Sequence, residues 1–526
     1  MVGRATKSIS VRSRLTVLLA VIALAITACG GRGPASAGDQ PAASGKVGDT
    51  LTVVSVIPPQ TLDPAKTAQN NAWLAELAYQ PLIVRRSDGT LTPGLAESWS
   101  YTGTGNRTFE LRLRSGVTFA DGSELTAENV VDHLRYVVKS GGQMAPMLAN
   151  NTFTATDPHT VTITAGAPNP NFPEILSQDY VVGGVISKAG LARPDELGTR
   201  TFGAGPYQLD PDQTVAGDHY TFVANPHFYD KPSVHWRKVV VRIITNAQSV
   251  LNALKTGQAD VAVGDPATAS AAEQAGLTVV STPFLWSGVV LADRAGTQAK
   301  PLADVRVRQA LNLATDRQAI ADALFPGLGE PTNQLTVPGG YGYDAALNKT
   351  YPHDEAGARR LLTEAGYANG FTLRLVTPRY QQLNLLAQAL ADQWRKVGVT
   401  LDLTDHANPN EFTSDAFGGK FPAFMTSFGQ IPIWMEGPSL FLPTAAFNPF
   451  HVADAELAGL FDRAARASGQ EKDRLDREIQ AHLVREAWFV PVVTTGLPYY
   501  ARKTVTGLAT SPKAPVLSLY EVRQAA

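Results

Sequence analysis

The residues best suited to chemistry are few and scattered in this 526-residue sequence. It contains a single cysteine and nine histidines. With one cysteine, no cysteine pair can hold a metal ion or form an internal disulfide. The histidines are spread along the chain, and His227 and His235 fall in an expected loop and the start of a strand. Isolated histidines of this kind usually serve as surface or core residues.

Motifs that cradle phosphate or activate a nucleophile are also missing. Gly103 and Gly105, like Gly203 and Gly205, lack a third glycine at the spacing that phosphate binding requires. The sequence has no Gly-x4-Gly-Lys-Ser/Thr loop, no His-Glu-x-x-His pair and no Gly-x-Ser-x-Gly elbow. We therefore predict no metal, no cofactor and no enzymatic activity, although an active site assembled from distant residues stays open.

The single cysteine, Cys29, closes a segment typical of a secretory signal peptide. A basic start leads into an apolar run over 15–26 that is too short to span a bilayer, and small residues flank the cysteine. The order Ile-Thr-Ala-Cys at 26–29 resembles the bacterial lipobox, in which the cysteine is acylated. The sequence predicts a signal peptide over 1–28 and a lipid on Cys29 that holds the mature chain at the outer side of the cell membrane. An ordinary signal peptide with an incidental cysteine is the alternative.

Composition places the rest of the chain among globular proteins. Hydrophobic residues make up 44% and charged residues 17%, and the net charge is −2. A charge so close to zero gives no general attraction to nucleic acid, so no nucleic-acid partner is expected. Residues 29–47 are small and rich in proline and glycine, which predicts a flexible tether. The remaining length exceeds one hydrophobic core, so two or three domains are expected.

Helices and strands alternate after the tether, which predicts a mixed α/β fold. Thr126, Asp304, Asp316 and Asp354 each stand just before a helical pattern, as N-cap residues do. Gly366 is expected to end the helix that Asp354 begins.

Several segments in order along the chain carry a resemblance to a known family. They include Leu-Ala-Glu-Ser-Trp at 95–99, Gly-Ala-Gly-Pro-Tyr at 203–207 and Glu-Ala-Gly-Tyr at 364–367, together with the segments 109–119, 121–131, 253–260 and 301–312. Together they resemble family 5 of bacterial extracellular solute-binding proteins, the dipeptide, oligopeptide and nickel-chelate receptors of ABC importers. The resemblance covers residues 50 to about 500.

The resemblance implies a two-lobed fold of the type II periplasmic binding proteins, with an extra small domain and a cleft between the lobes. Lobe I would comprise 48–80, 190–283 and 490–526, the small domain 81–189 and lobe II 284–489. Hinge closure would enclose the solute, and a permease with its ATPase would receive it from a monomeric receptor. A peptide or peptide-like solute is the expected ligand.

One departure from the family pattern bears on the ligand. Peptide receptors of this family commonly carry an aspartate in a Trp-x-x-Asp segment, where it pairs with the α-ammonium of the peptide, but residues 424–438 contain none. Glu436 could replace it from a displaced position. Phe428 and Trp434 could form an aromatic wall, with Gln430 as a polar contact, and Trp286 is a further candidate. Core packing is the alternative role for all three aromatic residues.

Three other functions stay open at this point. The missing aspartate favours a metal chelate or another small amphipathic solute as the runner-up ligand. A secreted lipoprotein hydrolase would require serine, histidine and a carboxylate within hydrogen-bond reach in the cleft. A signalling or adhesion lipoprotein could keep the same scaffold without transport.

Overall fold

The computed structural model of this protein describes residues 47–526. The predicted signal peptide, Cys29 and the predicted tether up to residue 46 lie outside the described residues.

The first large sheet has seven strands and contains the first strand of the described chain. In spatial order its strands are Thr278–Val280, Tyr499–Ala501, Val261–Val263, Gly48–Ser55, Trp236–Ile243, His219–Ala224 and Tyr207–Leu209. The strand Gly48–Ser55 is central and pairs in parallel with both neighbours, so that Val53 lies opposite Val241 and Val261. Both faces of such a strand are covered, which explains its nearly continuous run of apolar residues.

The second large sheet has six strands, which come from the later part of the chain. In spatial order they are Glu330–Pro331, Phe489–Gly496, Pro283–Leu291, Ala423–Gly429, Phe371–Pro378 and Val399–His406. The body around this sheet is called the second lobe below, and the body around the seven-stranded sheet the first lobe.

A third, four-stranded antiparallel sheet forms the small domain. Its strands are Ala96–Thr102, Thr108–Leu113, Thr160–Ala165 and Asn151–Asp157, and the helix Ala127–Lys139 packs on it. Two short strand pairs complete the sheets, Ile83–Arg85 with Leu91–Pro93 and Val505–Thr506 with Arg523–Gln524.

The α-helices confirm the predicted N-caps. Thr126, Asp304, Asp316 and Asp354 each accept a hydrogen bond from a backbone N–H in the first turn. Gly366 has a φ of +88°, the left-handed conformation expected after a helix. The α-helices are Ala72–Ala78, Ala127–Lys139, Phe172–Ile175, Lys188–Leu191, Ala247–Lys255, Ala269–Gln274, Val305–Leu313, Arg317–Leu324, Glu355–Glu364, Leu383–Arg395, Pro409–Phe417, Ile433–Glu436, Ala455–Arg466 and Gly469–Arg485.

The chain crosses between the two large sheets at two neighbouring points. One crossing joins Val280 to Pro283, and the other joins Gly496 to Tyr499. The two crossings touch, because a Cβ on Gly496 would lie 2.5 Å from the carbonyl oxygen of Thr282. Only glycine fits here, and the paired crossings form a narrow two-stranded connection between the lobes.

The second crossing corrects one predicted boundary. The sequence analysis ended the second lobe at residue 489, but the strand Phe489–Gly496 lies entirely in the six-stranded sheet. Its apolar side chains pair with the central strand of that sheet, with Val490 opposite Val289. The chain therefore returns to the first lobe after Gly496.

The fold is an α/β, two-lobed fold of the type II periplasmic binding proteins with an extra small domain. Within residues 47–526, no helix combines the length and the apolar character that crossing a membrane requires.

Candidate functional site

The second lobe faces the other two bodies across an interface rich in polar groups. The side-chain amide of Asn106, in the small domain, donates hydrogen bonds to the carbonyl oxygens of Ala465 and Ala467 at 3.0 and 2.8 Å. From the C-terminal segment, the Lys513 ammonium lies 4.9 Å from the ring centroid of Tyr341. The bodies are thus in contact in this structure, and we call the region between them the cleft.

Trp434 lies at the edge of the cleft, on the short helix Ile433–Glu436. It is partly buried and lines a crevice together with Met147, Asn150 and Asn169 of the small domain. Because Trp434 lies between the second lobe and the small domain, its surroundings depend on the distance between them.

Trp286 has a different environment, because it is a core residue of the second lobe. Only 1% of it is exposed, and its ring packs edge-on against Phe489 with centroids 5.5 Å apart. The strand position of Trp286 explains this, since its side chain points into the layer between the sheet and the helices. Of the two roles considered from the sequence, the structure places Trp286 in core packing.

Phe428 lies near the end of the strand Ala423–Gly429, and Gln430 directly follows that strand. Phe428 is partly buried and packs against Phe447, with ring centroids 5.6 Å apart. The side-chain oxygen of Gln430 accepts a hydrogen bond from the backbone N–H of Val337 at 3.2 Å. Gln430 therefore braces a neighbouring loop, and of the aromatic residues predicted from the sequence, Phe428 and Trp434 keep partly exposed rings.

Glu436 is the most unusual of the predicted residues. It is fully buried, and neither carboxylate oxygen has a hydrogen-bond partner among the described residues. Burial raises its pKa well above the ordinary value, and the nearby carboxylate of Asp476 adds to the effect. The backbone N–H of Ile431 faces the carboxyl group and acts in the opposite direction, although the contact does not reach hydrogen-bond geometry.

The structure adds three polar residues that the sequence analysis missed. Asp476 and Gln480 lie one turn apart on the helix Gly469–Arg485, which packs against the helix of Glu436. Glu174 belongs to the small domain and raises the pKa of Asp476 from across the cleft. A sequence signal did exist, because Asp476 and Gln480 directly follow Leu475 and Ile479 of the apolar stripe.

Buried charged groups on the other side of the cleft are paired within the chain. In the small domain, the Arg85 guanidinium forms an ion pair with Asp179. In the first lobe, Glu76 is buried, and its carboxylate accepts hydrogen bonds from the backbone N–H of Leu519 at 2.7 Å and the Ser518 hydroxyl at 3.2 Å. Glu76 therefore holds the C-terminal segment against the first lobe.

The geometry offers little for bond-making chemistry. His482 and His406 each contact an aspartate, Asp454 at 2.7 Å and Asp415 at 3.0 Å. In the described part of the chain, no serine hydroxyl is hydrogen-bonded to a histidine ring. Across residues 47–526, no group of three or more histidine, cysteine, aspartate and glutamate side chains is arranged to hold a metal ion.

The sequence of residues 90–445 matches the family model described as bacterial extracellular solute-binding proteins, family 5 Middle. The chain belongs to this family. The match spans more than half of the chain and includes parts of the first lobe, the small domain and the second lobe.

Relatives of this solute-binding protein agree with that assignment. It is 28% identical over 476 residues to the glutathione-binding protein GsiB of Escherichia coli O1:K1 / APEC, covering 86% of this chain and 90% of the relative. Its fold matches HbpA2 from Haemophilus parasuis, with a TM-score of 0.80 and 22% identity. The match covers 91% of this chain and 100% of HbpA2. It also matches DppA from Helicobacter pylori in complex with the peptide STSA, with a TM-score of 0.70 and 20% identity. This match covers 91% of this chain and 99% of DppA.

Proposed function

We propose that this protein is the substrate-binding lipoprotein of an ABC importer and captures peptides or peptide-like solutes outside the membrane. Two similar proteins support this ligand class, since GsiB is named for binding glutathione and the DppA structure contains a peptide. The proposal rests above all on the match of residues 90–445 to the family of extracellular solute-binding proteins.

The narrow connection between the two large sheets supports hinge closure. Two neighbouring crossings, at Val280–Pro283 and Gly496–Tyr499, let the second lobe rotate against the first with little change elsewhere. We assign 48–80, 190–283 and 497–526 to lobe I, 81–189 to the small domain and 284–496 to lobe II. A solute that touches both sides of the cleft stabilises the closed form, which a permease can recognise.

The solute would meet the second lobe near the helix Ile433–Glu436. Trp434 and Phe428 supply partly exposed aromatic surface, and Glu436 supplies a carboxyl group without a partner. Gln430 would act indirectly, through the loop that it holds, and Trp286 would support the site from the core.

The partners follow from this role. A monomeric receptor would deliver the unchanged solute to a permease and its ATPase, without acting as an enzyme. A receptor that signals or adheres instead would bind the same solutes, and uptake measurements in cells that lack the protein separate the two roles.

The membrane anchor is tested through Cys29. The Cys29→Ser variant should lose its lipid and leave the membrane fraction, while the parent chain partitions with detergent. Unchanged partitioning of the variant would overturn the anchor and leave solute binding untouched.

The ligand class is tested by capture. The purified protein is mixed with a random di- to pentapeptide library, separated from free peptide and denatured, and the released compounds are identified by mass spectrometry. We expect intact peptides to be enriched. Recovery of a metal chelate with no peptide, or of cleaved peptides, would overturn the proposed ligand class or the non-enzymatic role, respectively.

A further inference from the structure

The end of the first lobe where the described chain begins carries an excess of basic side chains, and we call it the basic end. It comprises residues 48–50, 235–238, 255–260, 502–506 and 523–526. These segments contain six lysine and arginine side chains but only two acidic ones, whereas the whole chain has a net charge of −2. The six cations are Arg237, Lys238, Lys255, Arg502, Lys503 and Arg523.

Contacts between distant parts of the chain bring these segments together. The Trp236 indole N–H donates a hydrogen bond to the Val522 carbonyl oxygen at 2.8 Å. The Ala525 N–H donates to the Thr504 carbonyl oxygen at 2.9 Å. The last residues of the chain therefore join the start of one central strand to the segment around Thr504.

Most of the positive charge of the basic end is not neutralised within the described chain. Arg237 pairs with Asp49 at 3.5 Å, and Arg502 pairs with Asp260 at 3.3 Å. The other four cations, at positions 238, 255, 503 and 523, form no ion pair with an acid of residues 47–526. Unpaired charges of one sign on a protein surface create a field that attracts partners of the opposite sign.

The basic end lies on the side of the first lobe that is remote from the second lobe. Near the other end of the strand Gly48–Ser55, Val54 belongs to a hydrophobic cluster against which Leu328 of the second lobe packs. At about 3.3 Å per residue, Gly48 lies about 20 Å away from Val54 along this strand. The segment that carries Cys29 enters the first lobe at Gly48, so a lipid on Cys29 would attach the chain to the membrane from the basic end.

We propose that the basic end is a membrane-contact surface that binds the anionic headgroups of phospholipids. The inference rests on the proposed lipid anchor and adds an orientation to it. Ammonium and guanidinium groups donate charge-assisted hydrogen bonds to phosphate oxygens, and each one near an anionic bilayer adds to the attraction. Bound in this way, the first lobe lies on the membrane, and the second lobe points away from it and is free to move as the cleft opens and closes.

The test uses the Cys29→Ser variant, because a chain without its lipid reaches a bilayer only through its own surface. Sedimentation with vesicles measures its binding to phosphatidylcholine alone and to phosphatidylcholine with about 30% phosphatidylglycerol, an anionic lipid. We expect binding to the anionic vesicles to be at least about tenfold tighter. Raised salt should abolish the difference, since salt screens exposed charges.

Charge reversal in the same background locates the contact. Lys503→Glu combined with Arg523→Glu should weaken binding to the anionic vesicles at least about thirtyfold, because each basic side chain near such a membrane strengthens binding about fivefold. Arg237→Glu combined with Lys255→Glu tests two other segments of the basic end. The second pair should have a similar effect and decides the matter if the first pair does not fold.

The control is Lys349→Glu combined with Arg477→Glu. These two exposed cations belong to the second lobe, and the change in net charge is the same, so binding should weaken less than about threefold. Equal binding to both kinds of vesicle, or an equal loss in the control and the basic-end variants, would overturn the inference. Displacement of the protein from the vesicles by inorganic phosphate at constant ionic strength would assign the cations to free phosphate and overturn it as well.

These outcomes are distinguishable from failure of the proposed anchor. If the parent chain partitions with detergent, Cys29→Ser does not, and Cys29→Ser does not bind anionic vesicles, the anchor stands and the membrane-contact surface is wrong. If both chains partition alike and Cys29→Ser still binds anionic vesicles, the anchor is wrong and the surface stands.

Discussion

Glu76 in the first lobe and Glu436 in the second lobe are both buried glutamates, but their surroundings differ. Glu76 accepts hydrogen bonds from Leu519 and Ser518, and it holds the C-terminal segment in place. Glu436 has no partner in the described chain and lies near a second acid, Asp476. A buried acid with internal partners contributes to the architecture, whereas one without them is poised for a group that comes from outside.

Truncating each glutamate gives the largest expected contrast in stability. Glu76→Ala leaves the Leu519 N–H and the Ser518 hydroxyl without their acceptor and opens a cavity, so the free energy of unfolding should fall by about 3 kcal/mol. Glu436→Ala also opens a cavity, but it removes two unpaired oxygens and the repulsion by Asp476. We expect the free energy of unfolding of this variant to fall by less than about 1 kcal/mol. Urea unfolding of both variants checks this, and equal losses would abolish the distinction.

The pH dependence of stability tests the surroundings of Glu76 in the first lobe. Burial raises the pKa of Glu76 from 4.5 to about 8, against the smaller opposing effect of its hydrogen bonds. Between these values the folded protein holds a proton that the unfolded chain has lost, so stability falls as the pH rises. Glu76 should contribute up to about 1.4 kcal/mol per pH unit to this loss.

The Glu76→Gln variant isolates that contribution, because glutamine keeps the shape and an acceptor oxygen without a titrating proton. Its melting temperature should fall less between about pH 5 and pH 8 than that of the wild-type protein. Glu128→Gln, which changes an acid in the first turn of a small-domain helix, serves as the control. Parallel pH profiles for Glu76→Gln and the wild-type protein would show that Glu76 is ionised throughout.

The smallest expected effect concerns the contact that holds the cleft closed without a solute. Asn106 has a left-handed backbone, with a φ of +52°, so Asn106→Gly removes its two hydrogen bonds to the second lobe without adding strain. Losing them should cost the closed form about 1 kcal/mol and weaken solute binding about fivefold.

Gln381→Gly provides the control for this change. Gln381 also has a left-handed backbone, with a φ of +52°, but it is exposed in the second lobe, and its side chain forms no hydrogen bond in the described chain. Calorimetric affinities of the two variants should therefore differ. If Asn106→Gly binds as tightly as Gln381→Gly, the Asn106 contact does not contribute to closure.

Local signals along the sequence were sufficient for much of the fold. The N-caps at Thr126, Asp304 and Asp354 were predicted because a capping side chain and its helix are neighbours in the chain. The collinear family segments predicted the two-lobed architecture. The end of the second lobe was misplaced because Phe489–Gly496 is one strand among several apolar strands, and only its pairing shows which sheet it joins.

The site was harder to predict, since it is assembled from distant parts of the chain. Glu436 was found because it lies in the segment where the family usually has its aspartate, but nothing local showed that it is buried. Trp286 was considered a possible contact, although its place on a central strand puts it in the core. Glu174 and Asp476 come close only because the small domain contacts the second lobe. No spacing within the sequence predicts that contact.

Proton release on binding tests most directly whether Glu436 is poised for a cation. Burial raises the pKa of its carboxyl group well above the ordinary value, which favours the protonated form in the empty site, beside Asp476, Lys472 and, from the small domain, Glu174. A cationic group would displace that proton, and so affinity should rise with pH. Calorimetry with Ala-Arg-Ala in phosphate and in Tris, whose ionisation enthalpies differ, counts the protons released. The account predicts release of a proton by the wild-type protein and none by Glu436→Gln; no release by the wild-type protein, or equal release by both, would contradict it.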